Sequence, residues 1–125
     1  MTRSHQNQYI VGKVRDFAKR KGWFFGHFMD EELLKSHLVE VAWQNISSKK
    51  PDPIDEHFHK RSVEVNIVIS GWVKITLSGK RFKVKKGDFY IIYPQTVIED
   101  VEAGEKTELI IISAPSIPGD KYLTE

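Results

Sequence analysis

The sequence predicts an all-β domain, an antiparallel barrel or jelly roll with one short amphipathic helix at its amino end. Three observations lead there. From residue 62 to residue 113 the chain is a succession of short stretches rich in β-branched and aromatic residues, several alternating apolar with polar. Glycine-bearing turns separate them at Gly71, Gly79, Gly87 and Gly104. Only one segment, near the amino terminus, carries the three- and four-residue apolar spacing of a helix.

That segment is residues 7–20, where Ile10, Val14, Phe17 and Ala18 fall on one stripe and Lys13, Arg15, Asp16, Lys19 and Arg20 lie elsewhere on the wheel. Lys19, Arg20 and Lys21 suit a helix carboxyl end, and Gly22 ends it. The aromatic run 23–29 reads as a strand, 30–35 as a turn of up to one helical turn, and 38–45 as an alternating strand. Residues 47–53 hold Pro51 and Pro53 and read as a loop. Strands follow at 62–70, 72–78, 81–85, 89–93, 96–101 and 107–113, for about eight or nine in all. The proline-punctuated stretch 114–120 is expected to run extended over the surface.

A chain of 125 residues fits one domain with one core, here a tail and helix over 1–22 and a barrel over 23–125. Its 40% hydrophobic and 29% charged residues are the balance of a globular protein. The absence of cysteine removes disulfides, thiolate metal sites and cysteine nucleophiles, and agrees with a reducing compartment. With no apolar leader and no run long enough to cross a bilayer, a cytoplasmic protein without membrane contact is expected. The net charge is only +2, and the basic clusters at 13–21 and 80–86 are interleaved with apolar residues at structural spacing. They read as solvated faces, and no nucleic-acid partner is expected. Neither a phosphate-binding glycine loop nor a Gly-x-Ser-x-Gly elbow is present.

The stretch with chemical content runs from His57 to Gly71. Two histidines one residue apart point to the same side of a strand, and imidazole is the commonest neutral metal ligand. Glu64 and Asn66 share a strand face opposite Val63, Val65 and Ile67, a polar stripe suited to lining a cavity.

His57, His59, Glu64 and Gly71 together resemble the first motif of the cupin superfamily, namely HxH, four residues, Glu, six residues, Gly. A second motif matches in part: Gly87-Asp88 and, one residue late, Pro94. Thr96 stands where that motif has glycine, and Glu99 stands where it has a histidine ligand. The resemblance covers about residues 38–113 and implies a β-barrel with a mononuclear divalent-metal site in its mouth. Carried over, the ligands would be His57, His59, Glu64 and Glu99, holding iron, manganese, zinc or nickel, with Glu99 alternatively a general base. Gln44, Asn66 and Tyr93 are the residues expected to orient a substrate.

Three functions compete. The first is an oxygenase, isomerase or lyase acting on a small organic molecule at the metal. The second is a metal-free cavity that binds a sugar or organic acid, with the motif retained as polar lining. The third is an accessory homodimer joined through the amino-terminal helix and the aromatic strand. Whether the chain is an enzyme stays open at this level. His27 and His37 match no motif and read as ordinary strand residues.

Overall fold

The computed structural model describes residues 5–46 and 56–124. The expected loop at 47–53 lies outside them. Strands β1 (Trp23–Phe25), β2 (Glu40–Ile46), β3 (His57–Phe58), β4 (Val63–Ser70) and β5 (Trp72–Leu77) come first in the chain. β6 (Lys80–Lys85), β7 (Phe89–Ile92), β8 (Ile98–Ala103), β9 (Thr107–Ala114) and β10 (Tyr122–Leu123) follow. They form two five-stranded sheets, one in the order β1-β2-β9-β4-β7 and the other β10-β3-β8-β5-β6, antiparallel at every pairing. The core between them is Ala42, Val68, Ile92, Leu109 and Ile111 from the first sheet and Val73, Ile75, Val84, Ile98 and Ala103 from the second.

The amino-terminal helix is shorter and tighter than its apolar spacing suggests. Only Val14–Arg20 is helical, as a 3-10 helix, with Lys21 in the left-handed conformation closing it. Gly12 and the β-branched Val11 stand in the first half of the expected segment, where each lowers helix propensity. Phe17 of this helix faces Phe24 of β1, ring centroids 6.2 Å apart. Gly22 then passes so close to the Trp43 carbonyl that a Cβ there would collide with it, and its φ is +86°. The single helical turn within 30–35 is observed at Glu32–Leu34.

The hairpin turns fall where the glycines put them. Gly71 is the sharpest case: its φ is +77° and a Cβ would meet the Thr107 hydroxyl. Thr107 is fully buried and its hydroxyl donates to the Gly104 carbonyl, so the last glycine of the His57–Gly71 motif joins the β4–β5 and β8–β9 turns. The tail beyond β9 runs over the surface as expected, but it also ends in β10, paired with β3 through Tyr122 opposite Phe58 and Leu123 opposite His57.

Candidate functional site

Strand register decides which polar groups meet inside. On the inner face of the first sheet one row reads Glu40, Ser113, Glu64, Ile92 across β2, β9, β4 and β7. The next row reads Ala42, Ile111, Asn66, Tyr90. Glu64 and Asn66 thus face the interior two residues apart on β4, as their parity requires. Asn66 is 2% exposed, and its side-chain nitrogen has no hydrogen-bond partner among the described residues. Burial pushes the Glu64 carboxyl above its ordinary pKa; the His59 charge and the Asn66 amide oppose that shift, and the Glu40 carboxylate adds to it. Burial likewise raises the Tyr90 phenol, with the Glu64 charge adding to it.

His57 and His59 approach this end from the second sheet. His57 is buried and sits opposite Ile98 of β8, and its ring meets that of His59 edge-on with centroids 5.1 Å apart. His59 Nδ1 lies 2.6 Å from the Asp120 carbonyl oxygen. A carbonyl can only accept, so Nδ1 carries the proton, and in the neutral ring Nε2 is the acceptor. The Asp120 carboxylate accepts from the backbone N–H groups of Lys60, Arg61 and Ser62 at 3.2, 3.1 and 2.9 Å. Burial alone would raise its pKa, but these bonds outweigh burial and hold it below the usual value.

The tail is tied at its other end too. The buried Ser116 hydroxyl donates to Glu40 Oε1 at 3.0 Å and accepts from the His27 backbone N–H at 3.0 Å. His27 Nδ1 lies 2.6 Å from the same oxygen, and the Ser116 N–H donates to the His37 carbonyl. The segment from Ser116 to Asp120 therefore joins the β1–β2 connection to the β3–β4 loop beside the polar end of the cavity. His27, expected to be an ordinary residue, is one of its anchors.

A cleft of about 460 Å³ is lined by Ile75, Leu77, Phe82, Val84, Phe89 and Tyr90 among others, at the side where edge strands β6 and β7 meet. It does not include the histidines. Its link to the polar cluster is Tyr90, which faces the cleft and neighbours Asn66 in register.

The sequence-expected residues therefore divide. His57, His59, Glu64 and Asn66 come to one end of the interior. Gln44 shares the inner face but pairs with Leu109, a strand away from β4 and two residues along from the Ala42 row. Tyr93 is 63% exposed beyond the end of β7, and the tyrosine that faces Asn66 is Tyr90. Glu99 lies beside Glu56; the hydrogen bond between the two side chains is the main cause that raises its pKa, with Glu56 and Asp100 also repelling its charge. The β8 residue turned inward at the level of His57 is Ile98. Among the described residues no three histidine, aspartate or glutamate side chains are grouped to share an ion, so the donors present do not close round a metal.

Fold and site define a class: a small protein of two antiparallel sheets with a partly polar cavity between them. The cupin domain profile matches residues 48–112, more than half of the chain, and the chain belongs to the cupin family. Solved structures agree on the fold. A protein from Planctomyces limnophilus superposes with a TM-score of 0.58 at 19% identity, covering 98% of this chain and 96% of that one. A cupin protein from Bacteroides fragilis gives 0.53 at 20% identity, covering 65% and 69%. The Streptomyces nucleoside dehydratase Pac13 gives 0.52 at 18% identity, covering 71% and 83%. No curated protein sequence matches the chain. No helix among the described residues is long and apolar enough to cross a membrane.

Proposed function

We propose that this chain is a cupin that binds a neutral, hydroxyl-bearing small molecule between its sheets without the aid of a metal. The Asn66 side-chain nitrogen carries this reading. It makes no well-formed hydrogen bond, its one acidic neighbour being the Glu64 carboxyl, and a buried donor so poorly paired costs up to about 1–3 kcal/mol, a cost that a ligand oxygen would remove. Around it stand groups suited to hydroxyls: the Tyr90 phenol as donor and acceptor, and His59 with Nε2 as acceptor. The inner row that carries Asn66 and Tyr90 and the row beside it contain no lysine or arginine but do hold the Glu40 and Glu64 carboxyls, and although Lys83 lines the cleft beyond Tyr90, this favours a sugar- or nucleoside-like ligand over an organic acid at Asn66. The Streptomyces dehydratase has been seen with uridine, which makes uridine a sensible first probe.

The test is thermal unfolding of the purified protein with uridine and a panel of neutral monosaccharides, with and without EDTA. Stabilisation that survives the chelator and is lost in Tyr90→Phe supports the reading. Stabilisation by a divalent ion that EDTA reverses and His57→Ala abolishes defeats it, and returns the site to the metal chemistry implied by the motif.

A further inference from the structure

Strand β6 is the outermost strand of the second sheet, and the turn before it fixes which of its backbone groups are engaged. Ser78 and Gly79, with φ of +47° and +83°, form a two-residue hairpin turn closed by the pair Leu77 and Lys80. From that closing pair the bonds to β5 alternate. Lys80, Phe82 and Val84 therefore bond into the sheet, and the N–H and C=O groups of Arg81, Lys83 and Lys85 point away from it. Lys85 is satisfied by Asp88, whose carboxylate accepts from its N–H at 2.9 Å and whose own N–H donates to its carbonyl at 2.8 Å. The backbone groups of Arg81 and Lys83 have no such partner among the described residues. The two faces of this free edge differ in chemistry. On the inner side Phe82 and Val84 line the cleft of about 460 Å³ with Ile75, Leu77 and Tyr90. On the outer side Lys83 stands opposite Lys74 in register, a like-charged pair that is destabilising unless an anion answers it. The carboxylate next in that row, Glu102, is engaged by Arg81 at 2.6 Å. Both ammonium groups lie instead 5.3 Å from the Trp72 ring centroid.

We infer that this edge receives an extended segment of another protein in which acidic and apolar residues alternate. Such a segment continues the second sheet beyond β6, exchanging backbone bonds with Arg81 and Lys83. Its side chains point alternately to the two faces. One set enters the cleft against Phe82 and Val84, and the other meets the Lys83 and Lys74 ammonium groups outside. The place is open because β6 and β7 end different sheets and do not pair with each other. A second copy of this chain fits badly. Two β6 strands side by side would set Arg81 and Lys83 against the same residues, which is how lysine on an edge strand prevents self-pairing. The same charges attract an acidic strand. A nucleic acid would answer the lysines, but it has no apolar side chains for the cleft and no amide backbone to match the edge.

Amide hydrogen exchange followed by NMR tests this, with a synthetic peptide of alternating glutamate and valine matched to the six residues of β6 and capped at both ends. Saturating peptide should slow exchange at the Arg81 and Lys83 amides roughly tenfold or more. The same composition with its valines grouped should not, and neither should the alternating peptide once its backbone is N-methylated. Lys83→Glu, at an exposed position, should keep its fold by circular dichroism and bind roughly tenfold more weakly. Lys83→Pro spares the β5–β6 ladder, because the N–H it removes points away from β5, and should abolish binding. Unchanged exchange at Arg81 and Lys83 overturns the inference. Equal protection by the grouped peptide, or by a single-stranded oligonucleotide, overturns it in favour of unspecific charge attraction. Peptide binding should persist in Asn66→Leu, so failure here and failure of the proposed ligand site are separable; binding lost in that variant places the peptide in the polar cavity and overturns the inference.

Discussion

The β3–β4 segment and the β7–β8 segment hold the two halves of the expected site, and the fold treats them differently. The first is tied down from three sides. β3 pairs with β10, the β3–β4 loop wraps the Asp120 carboxylate, and β4 lies between β9 and β7 in the first sheet. His57, His59, Glu64 and Asn66 are positioned by those contacts. The second segment is held as well, since β8 pairs with β3 and β5 and the Gln95 N–H donates to the His59 carbonyl, but Gln95 and Asp100 adopt positive φ, and Glu99 ends beside Glu56 while Ile98 enters the core. A ligand set depends on the scaffolding of each strand as much as on the residue types in it. Here both halves are held, and only the first turns its polar side chains inward.

The largest single-site effect should come from removing that scaffold. Asp120→Ala leaves three backbone N–H groups to find water and frees the Asp120 carbonyl that holds His59. A loss of about 2 kcal/mol in denaturant unfolding is expected, in the range for hydrogen bonds to a buried charged group. NMR of the His59 ring nitrogens should show the Nδ1–H form giving way to mixed tautomers. The pH dependence has a definite sign. Because the folded carboxyl lies below its ordinary value of 3.8, its contribution is present above that pH and is lost as acid protonates it in the folded state. Asp120→Asn should flatten that part of the acid-unfolding profile. An unchanged profile would mean that the carboxylate does not stabilise the loop.

A smaller effect of opposite sign is expected one strand inward. Asn66→Leu replaces an unpaired buried amide with an apolar group of similar size among Ile111, Tyr90 and Val68. The unliganded protein should gain about 1 kcal/mol of stability, while ligand-induced stabilisation disappears. A destabilised variant would show that the Asn66 nitrogen is already satisfied in the free protein, and that its orphan status does not mark the site.

Much of this was legible in the sequence. Alternation and turn glycines located the strands of β4 through β9 to within two residues, and the spacing of His57, His59 and Glu64 located the polar end. Parity placed Asn66 inside, because Glu64 and Asn66 contrast with the valines between them. The same rule had nothing to act on in residues 89–93, which are apolar on both faces, so Tyr93 rather than Tyr90 was expected to face the ligand. Asp120 and Ser116 carried no local signal. Their partners lie 58 to 89 residues away in the chain and come near only once the tail has crossed the sandwich. The apolar run of β7 did hold a further message, since a strand buried on both sides reads as continuous. Phe89 and Ile91 depart from that pattern, since both are exposed on the outer face.

The smallest effect expected is at Glu99, and it bears most directly on the contrast between the two segments. Its carboxyl is raised chiefly by the hydrogen bond with Glu56, and by repulsion from Glu56 and Asp100, at the surface. Glu99→Gln relieves that repulsion without disturbing the core, so stability at neutral pH should change only slightly in denaturant unfolding. The sign near pH 7 should favour the variant slightly. A folded carboxyl held above its ordinary value counts against stability once both states are ionised, and ceases to count below that value. The advantage of Glu99→Gln should therefore vanish on acidification through the carboxylate range. Ligand-induced stabilisation should be identical in the two proteins. A Glu99→Gln variant that abolishes ligand or metal binding would show that the β7–β8 segment rearranges to bring this carboxylate to His57 and His59, and the contrast between the two halves would then belong to the unliganded state alone.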